Sequence, residues 1–524
     1  MTSATPKLWN CAGGIHPPAN KQQSLQGCIR TAVLPPQLIV PVTQPLNNPP
    51  QLCVHIGERV HKGQLLAQGS SHPGLAAHAP AAGKVTAITE HQVPGMSGVP
   101  ELCVVIDTDA TDTTWPKLPV LDYLHTDSDA LIQRVADAGI SGLGGAGYPA
   151  HSKLQSALHK VDTLVLNATE CEPYISADEA LLQQHTETVL NGCLILLQIT
   201  GATRCLIGIE DSKPQAISAL RSHAYDPRLQ VMVIPALYPS GAERQLIYTL
   251  TGKEIPTGSW PVDCGVLCHN VGTAFAVARA VMHGEVLVSR VTTITGAALA
   301  QAANYEVLIG TPLASLLQQS GLDTTKLSRL ISGGPLMGIE LPHAGLPLTK
   351  LTNCIIATTG QELPTPPPAQ ACIRCGYCAQ VCPIHLLPQQ LYWFARSHEL
   401  EQAQAHNLKD CIDCGACAYV CPSHIPLVQY FRAAKAELVQ AHDQRLRAAH
   451  SKQRFEAHQQ RVASELALTE QRRAERTTLA KQQPATTNSS STAAQDAVAA
   501  ALARVHARKA ALKPAVADNK DPPP

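Results

Sequence analysis

The chain has 524 residues, enough for three or four domains at ~150 residues each, and 45% of it is hydrophobic, so most of it can fold into packed cores. The formal net charge is zero, but residues 431–524 carry 16 Lys/Arg against 9 Asp/Glu and the rest is net acidic; neither balance suits a nucleic-acid-binding surface. No apolar run approaches the ~18 residues that cross a bilayer, and MTSATPKLWN lacks the apolar core of a signal peptide, which points to the cytoplasm.

Residues 1–31 read as an irregular, extended N-terminal segment in which GGIHPPANKQQS is expected to form an ordered loop. Over 32–110, VHIGERVHKGQLLAQG and HAPAAGKVTAI alternate apolar residues between Gly57, Gly63 and Gly83, a strand–turn–strand pattern. This stretch resembles a lipoyl or biotinyl carrier, a flattened β-sandwich. The hairpin where a carrier has its modified lysine reads GSSHPG, Gly69 to Gly74, with no lysine, so a structural module is expected. Over 118–290, strands such as TLVLN, RCLIGIE and LQVMVIP alternate with helical stretches, among them one long helix through EALLQQHTETVLNGCLILLQ. That alternation predicts a largely parallel sheet in an α/β layer. Residues 291–360 read as a small α+β domain, and 365–430 hold the cysteine runs.

The tail, 431–524, is Ala-rich, basic and of high helix propensity, with a spacer QPATTNSSSTAAQ that is disordered by composition and a second helix after it. It reads either as a solvated helix and linker or as a docking arm.

Eighteen cysteines in a reducing compartment imply metal ligation rather than disulfides. Cys372, Cys375, Cys378 and Cys382, then Cys411, Cys414, Cys417 and Cys421, form two C-x2-C-x2-C-x3-C-P runs. This is the two-cluster ferredoxin pattern. Three cysteines two residues apart curl round three corners of a cubane, and the fourth ligates the other cluster. One [4Fe–4S] cluster is therefore expected on Cys372, Cys375, Cys378 and Cys421, and a second on Cys382, Cys411, Cys414 and Cys417. Zinc, the rival metal, uses paired cysteines or Cys/His pairs instead. The insert between the runs reads as helical, as in α-helical ferredoxin modules of larger redox enzymes. The other ten cysteines, Cys193 and Cys205 among them, read as buried structural thiols.

Two clusters form a one-electron wire, which needs a source. SGLGGAGYPAHSKL contains Gly142-x-Gly144-x-x-Gly147, the spacing of a dinucleotide fingerprint. A Rossmann fingerprint follows a strand, whereas DALIQRVADAGIS before this one has helical periodicity at Leu131, Ile132, Val135, Ala136 and Ile140. Helix–loop–helix is expected. Only Glu170, 23 residues past Gly147, keeps the Rossmann reading open. Gly144, Gly145 and Gly147 can still bring backbone N–H groups to an anion, and Lys153 can pair with phosphate. Asn167, Glu170 and Glu172 follow the strand TLVLN, where α/β sheets place ligands.

GLGGAGYP with Lys153, NATECEP with Asp178, Tyr238-x-x-Gly241-x-Glu243, Pro261 and Asn270-Val271-x-Thr273 together resemble the flavin- and NADH-binding subunit of respiratory complex I and of related hydrogenases and formate dehydrogenases. Over residues 10–430 the order of modules resembles the C subunit of Rnf-type complexes, which are ion-translocating membrane oxidoreductases linked to ferredoxin and NAD. The resemblance implies FMN held by Gly142, Gly144, Lys153, Asn167, Glu170, Asn270 and Thr273. It places NADH near Tyr148, with Glu172 and Glu243 close by. It implies a β-grasp-like fold for 291–360, and a peripheral position on the cytoplasmic side of the inner membrane beside other subunits and ferredoxin-type or flavin-bearing partners. Hydride transfer to a flavin needs no acid or base, so no catalytic side chain is expected. Leu143 and Thr169 depart from the complex I pattern, which has an Arg and an acid there. Two other readings are a cluster-only wiring adaptor with a vestigial flavin site and a free-standing NADH diaphorase.

Overall fold

The computed structural model describes residues 7–43, 50–69, 74–95, 98–109, 113–482 and 491–511. Residues 1–439 form one compact unit and 440–524 a second. Residues 70–73 of the GSSHPG hairpin and 483–490 of the spacer lie outside the described residues.

After a short edge strand β1 (Arg30–Thr31) come β2 (Gln37–Pro41), β3 (Pro50–Leu52), β4 (Arg59–Val60), β5 (Leu65–Gly69), β6 (Ala77–His78), β7 (Gly83–His91) and β8 (Glu101–Thr108). They pair as two sheets, β2-β8-β7-β4 and β3-β5-β6. Alternation puts Leu38, Val40, Val60, Leu66, Val85, Val104 and Ile106 inside, each no more than 2% exposed.

The α/β layer follows: α1 (Ser128–Asp137), α2 (Ala150–Ala157), β9 (Thr163–Asn167), α3 (Ala177–Gln184), α4 (Thr186–Thr200), β10 (Arg204–Glu210), α5 (Pro214–His223), β11 (Leu229–Ile234), α6 (Glu243–Thr251), β12 (Val266–Asn270) and α7 (Val271–His283). The sheet is parallel with order β11-β10-β9-β12. The chain thus steps outward from β9 and returns on its other side, creating a switch point between β9 and β12. The single long helix expected here is two. The chain leaves helical geometry at His185 (φ −131°, ψ 32°), whose ring packs 5.4 Å from that of Phe275 on α7.

The small sheet runs β1-β14-β13-β17-β15-β16, from β13 (Ser289–Thr295), β14 (Ala303–Leu308), β15 (Arg329–Ser332), β16 (Ile339–Glu340) and β17 (Cys354–Thr358), with α8 (Leu313–Gln319) between β14 and β15. β13 and β17 are parallel at its centre. The N-terminal segment is bonded to this sheet. Arg30 and Thr31 pair with Tyr305 and Glu306, Gln23 bonds Thr295, and Asn304 Nδ2 donates to Ser24 O.

The cysteine region holds α9 (Tyr377–Gln380), α10 (Pro388–Arg396), α11 (Leu400–Ala405) and α12 (Ala416–Tyr419), closed by the start of α13 (Leu427–Gln482). Leu391, Tyr392, Leu408, Leu427, Val428 and Phe431 form its core. In the second unit, the rest of α13 and α14 (Ser491–Ala511) are exposed at nearly every described side chain. Among the described residues no helix is long and apolar enough to cross a membrane.

Candidate functional site

The glycine loop joins two helices, α1 and α2, and follows no strand. Its base is closed by Gly142 N donating to Tyr148 O at 2.8 Å and Ala150 N to Ile140 O at 3.0 Å. Its tip, Gly144 to Ala146, and Tyr148 are exposed. Gly145 (φ +111°) and Gly147 (φ +69°) need conformations that side chains rarely adopt. Within the described residues the N–H groups of Gly144, Gly145, Ala146 and Gly147 make no hydrogen bond, so they are available to an anion.

The loop sits at the sheet's switch point. Asn167 and Asn270 are register partners at the C-terminal ends of β9 and β12. Asn270 caps α7, its side chain accepting from Gly272 N. Leu143 N donates to Thr273 Oγ1 at 2.9 Å in the first turn of α7. A Cβ on Gly144 would lie 3.0 Å from Asn270 Cβ. The positive end of a 13-residue helix and a row of unpaired N–H groups therefore meet at one place. Lys153 on α2 reaches Glu243 Oε1 at 2.6 Å and Cys268 O at 2.7 Å. Asn167 Nδ2 donates to Gly241 O at 2.8 Å, which folds the 238–243 turn over the strand ends.

Two acids stand elsewhere than the sequence suggests. Glu170, expected to accept from a ligand, caps α3: its carboxylate accepts from Asp178 N and Glu179 N. Glu172, expected beside a nicotinamide, is buried, and its Oε1 accepts from Leu336 N at 2.8 Å and Met337 N at 3.0 Å. Glu170 is consumed by the protein's own backbone; of Glu172 only Oε1 is, and its buried Oε2 has no hydrogen-bond partner among the described residues.

Sequence reasoning missed the charges behind the loop. Lys213 is fully buried, its Nζ 3.5 Å from Glu170 Oε2. Burial alone pulls its pKa down, but Glu170, Glu210, Glu179 and Asp178 outweigh burial and hold the ammonium charged. Lys21, from the N-terminal segment, donates to Glu170 O. A lysine in DSKP reads as a turn charge, and only the fold brings acids round it. Lys213→Met removes one of the two buried cations that face Glu170 and Glu210, Lys21 being the other, and the expected loss is ~3 kcal/mol in denaturant unfolding.

Asp178 accepts from Asn270 Nδ2 at 2.5 Å. Burial first and Glu170 second push its carboxyl from 3.8 up to about 7. The folded pKa exceeds the unfolded one, so the folded state binds the extra proton and stability falls as pH rises from 3.8 to about 7. Asp178→Asn, neutral at every pH, should make that fall shallower, leaving the share of Glu172, Glu179 and Glu210, whose carboxyls burial also raises; unfolding at pH 5 and pH 8 measures it.

From the small domain, Arg290 Nη2 donates to Leu143 O at 3.2 Å, and Leu351 packs against Gly147. Lys350 Nζ donates to Ala76 O and Gly139 O, both at 2.8 Å. The loop is thus held from behind by groups that no local pattern announces.

The eight cysteines line two small cavities. One is lined by Cys382, Cys411, Cys414 and Cys417 with Leu386, Val428 and Phe431. The other is lined by Cys372, Cys375, Cys378 and Cys421 with Tyr392, Ile425 and Leu427. Each quartet takes three cysteines from one run and the last from the other. The two runs share their backbone form: Arg374 and Asp413, Gly376 and Gly415, and His385 and His424 all have positive φ. Burial pushes the thiols of Cys411 and Cys414 up to about 12 and about 11. They become thiolates only against positive charge, which a bound iron centre supplies. Four sulfurs round a largely apolar cavity fit an iron–sulfur cluster; the nearest carboxylate to a sulfur in the first quartet is Asp413, 3.5 Å from Cys411 Sγ and paired with Lys435. The open N–H row with a helix N-terminus fits the phosphate of a flavin nucleotide. Of the scattered cysteines, Cys193 and Cys205 are buried, but Cys28 and Cys53 are exposed.

Three families match along the chain: the RnfC barrel sandwich hybrid domain over residues 9–111, the Nuo51 FMN-binding domain over 135–279 and the 4Fe-4S dicluster domain over 371–425. The C subunit of an ion-translocating oxidoreductase complex from Serratia proteamaculans is 46% identical over 505 residues, 96% of this chain and 70% of the relative. Its counterpart of the same name from Yersinia pestis is 48% identical over 460 residues, 88% of this chain and 74% of the relative. A solved NAD+-reducing [NiFe]-hydrogenase is 21% identical, covering 60% of this chain and 62% of its own, with a TM-score of 0.44, too loose a likeness to argue from. On the identity and coverage of the two bacterial relatives, the chain belongs to the family of C subunits of ion-translocating oxidoreductase complexes.

Proposed function

We propose that the chain is the electron-transfer subunit of an ion-translocating complex, relaying electrons between NAD(H) and redox partners through FMN and two [4Fe–4S] clusters. The carrying observation is the placement of both cysteine cavities and the glycine loop within residues 1–439, with the loop at the sheet's switch point. FMN when bound supplies the exchange between two-electron and one-electron chemistry. The chain's own residues bind and orient. The N–H groups of Gly144, Gly145 and Gly147, with the N-terminus of α7, receive a phosphate. Lys153 stands beside them, neutralised by Glu243 until an anion arrives. Asn167, Asn270 and Thr273 fix the strand ends and the loop, Gly142 closes the loop base, and exposed Tyr148 offers a face for a nicotinamide. Glu170 and Glu172 act through the backbone they cap. The eight cysteines hold the clusters in the two crossed quartets.

Other features fit the same reading. The parallel pairing of β13 with β17 inside antiparallel neighbours, and the helix between β14 and β15, support a β-grasp-like small domain. The chain works as a peripheral subunit on the cytoplasmic side of the inner membrane, its membrane-embedded partners performing the ion transport. The test is a cofactor inventory on anaerobically purified protein. About eight irons with one released FMN supports the relay. Eight irons without flavin leaves a wiring adaptor, a reading favoured by the internal bonds of Lys153 and Asn167.

A further inference from the structure

A cavity of about 1280 Å³ opens where the barrel sandwich, the α/β layer and the small sheet meet. None of the residues expected to hold flavin or nicotinamide lines it. Arg279 and Gly284, at the far end of α7 from Asn270, do. At 1.5 Å per residue the 13 residues of α7 set its two ends about 20 Å apart. Residues 114–118 form a strap along one side: Trp115 N donates to Lys62 O at 2.7 Å, and Leu118 N donates to Gly284 O at 3.0 Å. The strap brings Lys117 and the indole of Trp115, which is 47% exposed, to the cavity. Gly63 N donates to Ala79 O at 2.8 Å, so Lys62 and His78 stand on neighbouring segments of the barrel sandwich.

The acids of the wall already have partners. Glu285 pairs with Lys117 at 2.9 Å and Arg279 at 2.6 Å, and Glu306 pairs with Arg279 at 2.9 Å. Asp109 pairs with Arg59 at 2.5 Å. Asp137 accepts from Gln133 Nε2 at 2.7 Å and lies in the field of Arg134. Lys62 is exposed and pairs with no acid among the described residues. His78 is 7% exposed, and its Nδ1 has no hydrogen-bond partner among the described residues. Burial first, then Lys350 behind it, push its imidazole down to about 3. The ring is therefore neutral at physiological pH and offers one donor and one acceptor. Lys350 meets no carboxylate, and burial alone holds it down to about 7. The charge left unmatched at the cavity is positive.

We propose that this cavity is a second nucleotide site, separate from the flavin site, holding an aromatic base on Trp115 and a phosphate against Lys62 and His78. The rest of its wall includes Leu65, Val286 and Leu308, the mix of apolar surface and a few polar groups that organic ligands use. An isolated phosphate would leave these walls and the indole in water, whereas a base covers them. The phosphate brings negative charge to Lys62 and into the field of Lys350, which stabilises both ammonium groups. The strap and the barrel sandwich are bonded to each other before any ligand arrives, so little ordering is left to binding. An occupant would tie the carrier-like module, which has no lysine to modify at its described hairpin residues, to the layer that carries the flavin loop.

The test titrates ADP into the full-length, anaerobically purified protein, followed by calorimetry and tryptophan fluorescence. ADP should bind and quench part of the emission. Trp115→Leu should remove the quench, and Lys62→Glu should weaken ADP about tenfold or more. Both side chains are exposed, so far-ultraviolet circular dichroism and iron content should match the unsubstituted protein. Gly147→Val, which acts on the flavin loop, should leave ADP binding as it is. NADH carries the same adenine nucleotide and identifies the source. If NADH displaces ADP from Gly147→Val, the site takes the dinucleotide; if it does not, the site takes the free nucleotide. Either result keeps the site. No binding at about 1 mM ADP overturns the proposal. So does binding that Gly147→Val abolishes, or binding that Lys62→Glu and Trp115→Leu both leave unchanged.

Discussion

Cys421→Ser should remove the same cluster as Cys375→Ser, although Cys421 belongs to the other sequence run. Cys382→Ser should match Cys411→Ser in the same way. Each single variant is expected to retain about four of about eight irons, with one of two paramagnetic signals gone. The expectation comes from the crossed cavities: Cys421 lies with Cys372, Cys375 and Cys378, and Cys382 with Cys411, Cys414 and Cys417. Serine keeps the size of the side chain, so the loss reads ligation rather than packing. If Cys421→Ser instead abolished the signal that Cys414→Ser abolishes, the pairing would follow the runs and the crossed assignment would be wrong. The region should also lose stability, because a metal bound only by the folded state contributes its binding energy to folding.

Gly147→Val should empty the flavin site and leave the iron intact. Gly147 has φ +69°, which a β-branched residue adopts only under strain, and a Cβ there falls 2.6 Å from Leu351 Cδ2. Leu351 is 40% exposed and its side chain can swing aside, so the cost rests on the backbone conformation at Gly147. A strain of ~1–3 kcal/mol at the loop corresponds to a roughly 5- to 150-fold loss of flavin affinity. Released flavin fluorescence against total iron measures it. Loss of both in parallel would mean that the loop supports the whole unit rather than one cofactor.

Much of this site was legible because its chemistry is written in short local patterns. The two cysteine runs state their fold and their metal in about fifty residues. The helix–loop–helix setting of the glycines followed from the periodicity of Leu131, Ile132, Val135 and Ala136, and α1 indeed precedes the loop. What escaped depends on contacts far apart in sequence. Arg30 pairs with Tyr305, and Lys21 reaches Glu170; no window of residues contains either pair. Lys213 and Glu172 look like ordinary surface charges singly, and both are buried because the fold supplies partners. The break at His185 was hidden because the stretches on either side of it are equally helical, and only the ring of Phe275 on α7 marks the turn.

The most direct measurement is an anaerobic titration of the full-length protein with stoichiometric NADH, following flavin absorbance and the cluster signals together. A relay through both cofactors gives bleaching of one flavin and the appearance of reduced-cluster signals as NADH is added. Flavin that bleaches while both clusters stay oxidised, or clusters that dithionite reduces and NADH does not, would contradict an NADH-linked wire in this chain.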